Sequence, residues 1–183
     1  MRRLLALVWL AACQPKPDLP VLGQVADFSL TDSSGARVAD EDLRGKVQIV
    51  DFIFTNCPDV CPTLTTKMAS LQSRISSPGV GFVSFTVDPE RDTPAALDTW
   101  ATQFKADRAR WRFLTGEPEQ LRAVVQSVML AAEKQPVNAD GSYNVVHSEK
   151  FVLLDQTGAL RGFYSADEEG LKQLSADAAA LAD

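Results

Sequence analysis

An α/β domain, with a central mixed sheet, helices on both faces and an N-terminal β-hairpin, is expected from three features of this sequence. β-branched and aromatic runs alternate with segments whose apolar residues recur at helical spacing. Two of those runs are nearly continuous in apolar character, as strands covered on both faces are. The last part of the chain carries a hairpin pattern and one more helix, which makes the sheet mixed rather than all parallel. A length of 183 residues suits one domain with a real core.

The elements follow in order. Val25 to Val38 holds two short extended segments, with Asp32-Ser33-Ser34-Gly35 as the turn between them. Val47 to Phe54 is the first buried strand, and a helix is expected from about Pro62 to Ile75. Val80 to Val87 is the second buried strand. Thr93-Pro94 opens a helix with cap and first-turn residues in the favoured order, and Leu97, Trp100, Ala101 and Phe104 form its stripe. Arg112 to Leu114 reads as a short strand, and Leu121, Val124, Val125 and Val128 mark the next helix. Val145–Leu154 and Ala159–Tyr164 flank the turn Asp155-Gln156-Thr157-Gly158, and a last helix runs from about Asp167 to Leu181. The Trp and Met residues mostly fall on core stripes and are read as packing.

Before this domain stands a different kind of segment. Met1-Arg2-Arg3 is followed by an uncharged run from Leu4 to Ala12, the plan of an export signal, and the run is too short to span a bilayer, which takes about 20 residues. The stretch ends Leu10-Ala11-Ala12-Cys13, which looks like a bacterial lipobox, with Cys13 as the lipidated residue. The expected organisation is a signal peptide over 1–12, Cys13 and a proline-rich tether over 13–20, and the domain over 21–183. The tether carries Pro15, Pro17 and Pro20. This places the domain in the cell envelope, facing the periplasm or another extracytoplasmic space and held to the membrane by its lipid.

Composition narrows the chemistry. A formal charge of −6, falling to −8 once residues 1–12 are removed, argues against nucleic acid as a partner, since such binders carry a basic footprint. Three cysteines cannot be the main support of a chain this long, and one histidine excludes a Cys/His-rich zinc array. With Cys13 assigned to the lipid, Cys57 and Cys61 remain as a pair.

That pair lies in Thr55-Asn56-Cys57-Pro58-Asp59-Val60-Cys61-Pro62, where a buried strand meets a helix. Pro62 suits the first helical position, which puts Cys61 at the N-cap and Cys57 one turn earlier. Helix N-termini stabilise anions and lower thiol pKa. Thiols four residues apart share one side of a turn, so the two can close a disulfide or bind one soft metal ion together. His147, in Asn144-Val145-Val146-His147-Ser148, is the one imidazole available to complete such a site. A Cys₂His set suits Cu(I) or Cu(II), and in principle zinc with water or Asp59 as fourth ligand.

Three segments together resemble the signatures of the Sco (SenC) family: Asp51 to Pro62, Thr86-Val87-Asp88-Pro89-Glu90-Arg91-Asp92-Thr93-Pro94, and Val146-His147-Ser148. The resemblance covers roughly residues 21–181 and implies a thioredoxin-like fold. It implies a membrane-anchored copper-binding metallochaperone that delivers copper to the dicopper centre of cytochrome c oxidase, or reduces that centre. The copper-bearing oxidase subunit, or another copper or thiol protein, is then the partner. By matching position, Cys57, Cys61 and His147 would be the copper ligands, and Asp59 falls on an acidic residue typical of the motif.

Two residues depart from the pattern. Asn56 stands where many relatives carry histidine, and Asp51 stands in a strand where an apolar or aromatic residue is usual. Thioredoxins carry a buried aspartate at the same offset, so Asp51 is a candidate proton relay for a Cys57/Cys61 redox pair. The competing reading sets Asp51 at a solvent-facing strand edge or pairs it with Lys46. Thiol–disulfide oxidoreduction is therefore the second functional reading. The Asp88–Asp92 segment reads either as a partner-docking loop or as an Asp-Pro turn followed by helix capping from Asp92 and Thr93.

Overall fold

A computed structural model describes residues 18–58, 60–128, 132–134, 145–147 and 149–182, with the backbone alone for 132–134 and 145–147. The expected signal peptide, Cys13, the first part of the tether and Asp59 lie outside the described residues. No helix among the described residues is long and apolar enough to cross a membrane.

The strands are β1 (Gly23–Gln24), β2 (Ser29–Asp32), β3 (Arg37–Ala39), β4 (Val47–Ile53), β5 (Val80–Thr86), β6 (Trp111–Thr115), β7 (Ala132–Lys134), β8 (Val145–His147), β9 (Phe151–Leu154) and β10 (Ala159–Tyr164). The helices are α1 (Val60–Arg74), α2 (Pro94–Gln103), α3 (Pro118–Ser127) and α4 (Glu168–Ala182). Eight strands form one mixed sheet in the order β1-β10-β9-β4-β5-β6-β2-β3. β4, β5 and β6 run parallel, and β9 is antiparallel to β4.

Every residue of β4 and β5 is buried, because layers cover both faces of the sheet. One layer packs α1, α2 and α4 through residues such as Leu64, Met68, Leu97, Trp100, Leu174 and Ala178 against Val47, Ile49, Ile53, Phe82 and Trp111. The other packs α3 and the N-terminal hairpin against Val50, Phe52, Val83 and Phe85. Burying a side chain of this size contributes about 1.5–3 kcal/mol.

Local chemistry sets the boundaries. In the N-terminal hairpin, Asp32 Oδ1 accepts from the Ser34 and Ala36 backbone N–H groups at 2.8 and 3.1 Å, and Gly35 takes a positive φ of 86°. Thr93 Oγ1 accepts from Ala96 N–H at 3.3 Å and caps α2, with Pro94 in its first turn. Asp155 Oδ1 plays the same part in the β9–β10 turn, accepting from Thr157 and Ala159 N–H at 2.9 and 3.1 Å.

Three boundaries differ from expectation. The strand expected over Val145–Leu154 is two: β8 pairs with β7 in a separate ribbon, and β9 joins the main sheet. The exposed charges Glu149 and Lys150 separate them. β1 is an added edge strand on β10. The third difference is at the start of α1.

Candidate metal centre

The parallel strands β4 and β5 end side by side, and the connections after such ends are where α/β sheets commonly hold ligands. After β4 the chain passes through buried Phe54, half-buried Thr55 and exposed Asn56 to Cys57. Cys57 N–H donates to the Phe54 carbonyl at 3.2 Å and closes a tight turn. α1 then begins at Val60, two residues earlier than expected. Cys61 therefore lies inside the first turn rather than at the N-cap. Pro62 is accommodated there because the first N–H groups of a helix have no intrahelical acceptor.

The two cysteines face each other across this turn. Cys61 N–H donates to Cys57 Sγ at 3.3 Å, and neither cysteine is in a disulfide. Cys57 is 8% exposed and Cys61 is fully buried, both within the helix-side core. Burial pushes the Cys61 thiol well up from its ordinary range, and the Cys57 sulfur and the Asp51 carboxylate push the same way. The expected lowering of thiol pKa by a helix N-terminus is thus outweighed at Cys61. Desolvation disfavours the thiolate by more than the backbone hydrogen bond with Phe54 favours it.

Asp51 lies in the middle of β4, fully buried on the same face of the sheet as the cysteines. β4 is flanked by β5 and β9, so Asp51 is not at a strand edge, and its bonded partner is Ser84 rather than Lys46. Ser84 Oγ donates to Asp51 Oδ1 at 2.5 Å, and Trp111 Nε1 donates to Ser84 Oγ at 2.9 Å. Burial pushes the Asp51 carboxyl up to about 7 against the opposing effect of the Ser84 bond. A carboxyl in that range can take up or release a proton near neutral pH.

The Asp88–Asp92 segment lies beside the cysteine loop. Val87 N–H donates to the Ile53 carbonyl at 2.8 Å, joining the two strand ends. Asp92 does not cap α2, a task Thr93 performs alone. Its buried carboxylate turns back to Thr55 and Thr86. Thr55, Thr86, Ser84 and Trp111 carry no local signal in the sequence, and only the β4–β5–β6 register brings them to the site.

His147 lies at the end of β8, where its backbone pairs with Ala132. Its side chain, like Asp59, is outside the described residues. The register Gln48↔Leu154 and Val50↔Val152 sends β9 into the sheet at the end where β4 leaves it. β9, with Glu149 and Lys150 just before it, therefore enters the sheet from the side of the cysteine loop. No group of three or more potential metal ligands occurs among the described residues. The two sulfurs form a soft pair in an apolar setting, a donor set that fits a soft ion such as Cu(I).

Comparison with known proteins extends this picture. The SCO1/SenC family model matches residues 21–183. The structure is similar to that of a SCO1/SenC family lipoprotein from Bacillus anthracis, with 32% identity and a TM-score of 0.79, over 90% of this chain and 98% of the other. It is also similar to Bradyrhizobium japonicum ScoI with copper bound, at 29% identity and a TM-score of 0.76, over 86% and 99% of the two chains. A third likeness is to BsSco, a member of the Sco family of cytochrome c oxidase assembly proteins in which a disulfide switch was identified. It shares 30% identity and a TM-score of 0.76, over 90% and 96% of the two chains. The mixed sheet with its cysteine loop at the β4 end is thus the thioredoxin-like fold of these relatives, and the chain belongs to the SCO1/SenC family.

Proposed function

We propose that this protein binds copper as cargo and assists assembly of the dicopper centre of cytochrome c oxidase, with Cys57, Cys61 and His147 as the ligands. The observation that carries the reading is the reduced cysteine pair, with Cys61 N–H on the Cys57 sulfur at 3.3 Å in an apolar turn. Two thiolates there supply the soft donors that Cu(I) prefers, and an imidazole adds the nitrogen that Cu(II) also accepts. The copper-bound ScoI relative supports the choice of metal, and the family of BsSco supports the choice of process. Asp59 would be a secondary ligand.

The signal-and-lipobox pattern of residues 1–13, together with the lipoprotein relative, supports a lipid on Cys13, a tether to residue 20 and a functional domain over 21–183 on the outer side of a membrane. The partner on this reading is the copper-bearing oxidase subunit, met in that extracytoplasmic space.

Copper titration of the purified protein, read optically and by metal content, tests the site. One copper per chain and thiolate-to-Cu(II) absorption are expected. Both are lost in Cys57→Ala and Cys61→Ala, and the absorption disappears in His147→Ala. Wild-type affinity for Cu(I) and Cu(II) in His147→Ala would remove that ligand from the set.

A second reading is thiol–disulfide oxidoreduction, favoured by the buried Asp51 carboxyl near Cys61. The dithiol would give two electrons to a partner disulfide, releasing two thiols and leaving a Cys57–Cys61 disulfide, with Asp51 taking up the Cys61 proton. Turnover of a model disulfide that survives His147→Ala and fails in Asp51→Asn would favour it.

A further inference from the structure

Asp92 is fully buried, and among the described residues its carboxylate is held by hydrogen-bond donors of Thr55 and Thr86. Thr55 N–H reaches both oxygens, at 3.1 and 3.2 Å, and Thr55 Oγ1 donates to Oδ1 at 2.6 Å. Thr86 Oγ1 donates to Oδ2 at 2.5 Å and itself accepts from Asp88 N–H at 2.9 Å. A buried carboxylate costs several kcal/mol unless its lone pairs are satisfied, so this one belongs to a tightly specified arrangement. Helix capping does not explain it, because Thr93 caps α2.

The arrangement joins two segments that are 37 residues apart in sequence. One end holds the β5 exit through Thr86. The other holds both the backbone and the side chain of Thr55, and only exposed Asn56 separates Thr55 from Cys57. A shift of Thr55 passes to Cys57 across two peptide links, each fixing its Cα–Cα distance at about 3.8 Å. Metal–ligand distances are held to about 0.2 Å, so a small displacement there matters.

We propose that Asp92 is a positioning residue for the cysteine loop: by clamping Thr55 to the end of β5, its carboxylate sets where the Cys57 sulfur stands relative to Cys61. For copper this rests on the reading above. For the dithiol pair it does not.

The test uses Asp92→Asn, Asp92→Ala, Thr55→Val and Thr55→Ser, with Asp155→Asn as a comparison. Asp155 is a buried carboxylate in the β9–β10 turn, at the opposite end of the sheet from Cys57. Losing bonds to a buried charge should weaken Cu(I) binding about tenfold in Asp92→Ala, with a smaller loss in Thr55→Val. The thiolate-to-Cu(II) absorption shifts in both, and the Cys57–Cys61 reduction potential, measured without metal against glutathione, shifts with it. Asp92→Asn falls between wild type and Asp92→Ala, and Thr55→Ser restores wild-type behaviour. Asp155→Asn lowers the thermal midpoint and leaves absorption and potential unchanged.

Wild-type absorption and potential in both folded Asp92→Ala and Thr55→Val would overturn the proposal. If Asp92→Ala does not fold, Thr55→Val against Thr55→Ser decides by the same readouts. If wild-type protein binds no copper, the copper reading fails alone, and the metal-free potentials still decide the role of Asp92.

Discussion

Ser84 and Asp51 stand directly opposite each other on the parallel strands β5 and β4, and the Ser84 hydroxyl donates to the Asp51 carboxyl at 2.5 Å. The second oxygen, Oδ2, is buried with no hydrogen-bond partner among the described residues. That asymmetry suits a carboxyl that holds its proton over much of the acid range. Burial carries it up to about 7. An unfolded aspartate titrates near 3.9, so the folded state binds the extra proton between the two values. The Asp51 contribution to stability is therefore fully present below about pH 4, is lost as pH rises to about 7, and is level above.

Asp51→Asn removes this dependence. The variant should match wild type near pH 4 and exceed it at pH 8 by roughly 2–4 kcal/mol. Urea unfolding of the reduced, metal-free protein across that range measures it. Parallel profiles for the two proteins would show that Asp51 is ionised in the folded state throughout.

Ser84→Ala acts in the other direction. The Ser84 bond favours the carboxylate, so its loss moves the Asp51 midpoint further up. It also strips Trp111 Nε1 of its acceptor in the core, a cost of about 1–3 kcal/mol. Carbon-13 detection of the Asp51 carboxyl reads the first effect, and denaturation at pH 5, where Asp51 is protonated, reads the second. A midpoint at or below the wild-type value would contradict this account of the carboxyl.

Local patterns and long-range ones were unequally legible in this sequence. The two buried strands are nearly continuous apolar runs that stand as β4 and β5, and Thr93-Pro94 is a cap that needs only its own neighbours. The cysteine loop is visible for the same reason, since its prolines and thiols are contiguous. Ser84, the partner of Asp51, and Thr55, the distant partner of Asp92, are not, because they lie 33 and 37 residues away and meet them only through the strand pairing of the sheet. Burial of Asp51 turns on β9 flanking β4, which no pattern around residue 51 encodes. The division of Val145–Leu154 into β8 and β9 depends likewise on β7, a three-residue strand too short to carry a periodic signal.

The two cysteines should differ in reactivity. Alkylation needs the thiolate and a path for the reagent. Cys57 is 8% exposed, while Cys61 is fully buried and held as a thiol by that burial. Iodoacetamide at pH 8 should modify Cys57 at least about tenfold faster than Cys61 in the folded protein, and the gap should close in denaturant. Peptide mass spectrometry over a time course separates the sites. Equal rates in the native state would mean that the first turn of α1 opens faster than the reagent reacts.

The first turn of α1 is held from below by Thr65. Its hydroxyl donates to the Cys61 carbonyl at 2.8 Å and accepts from Trp100 Nε1 at 3.2 Å, linking α2 to the residue that carries the buried sulfur. Thr65 is itself fully buried, so neither group has water as a substitute. Thr65→Val keeps the shape and removes the hydroxyl, which leaves the indole N–H without an acceptor at a cost of about 1–3 kcal/mol. Thr65→Ser keeps the hydroxyl and loses one buried methyl, about 1 kcal/mol. The serine variant should therefore be the more stable of the two, although it deletes more apolar surface. Urea denaturation orders them. If Thr65→Val were the more stable, packing of the methyl rather than the bond to Trp100 would be what holds α1 against α2.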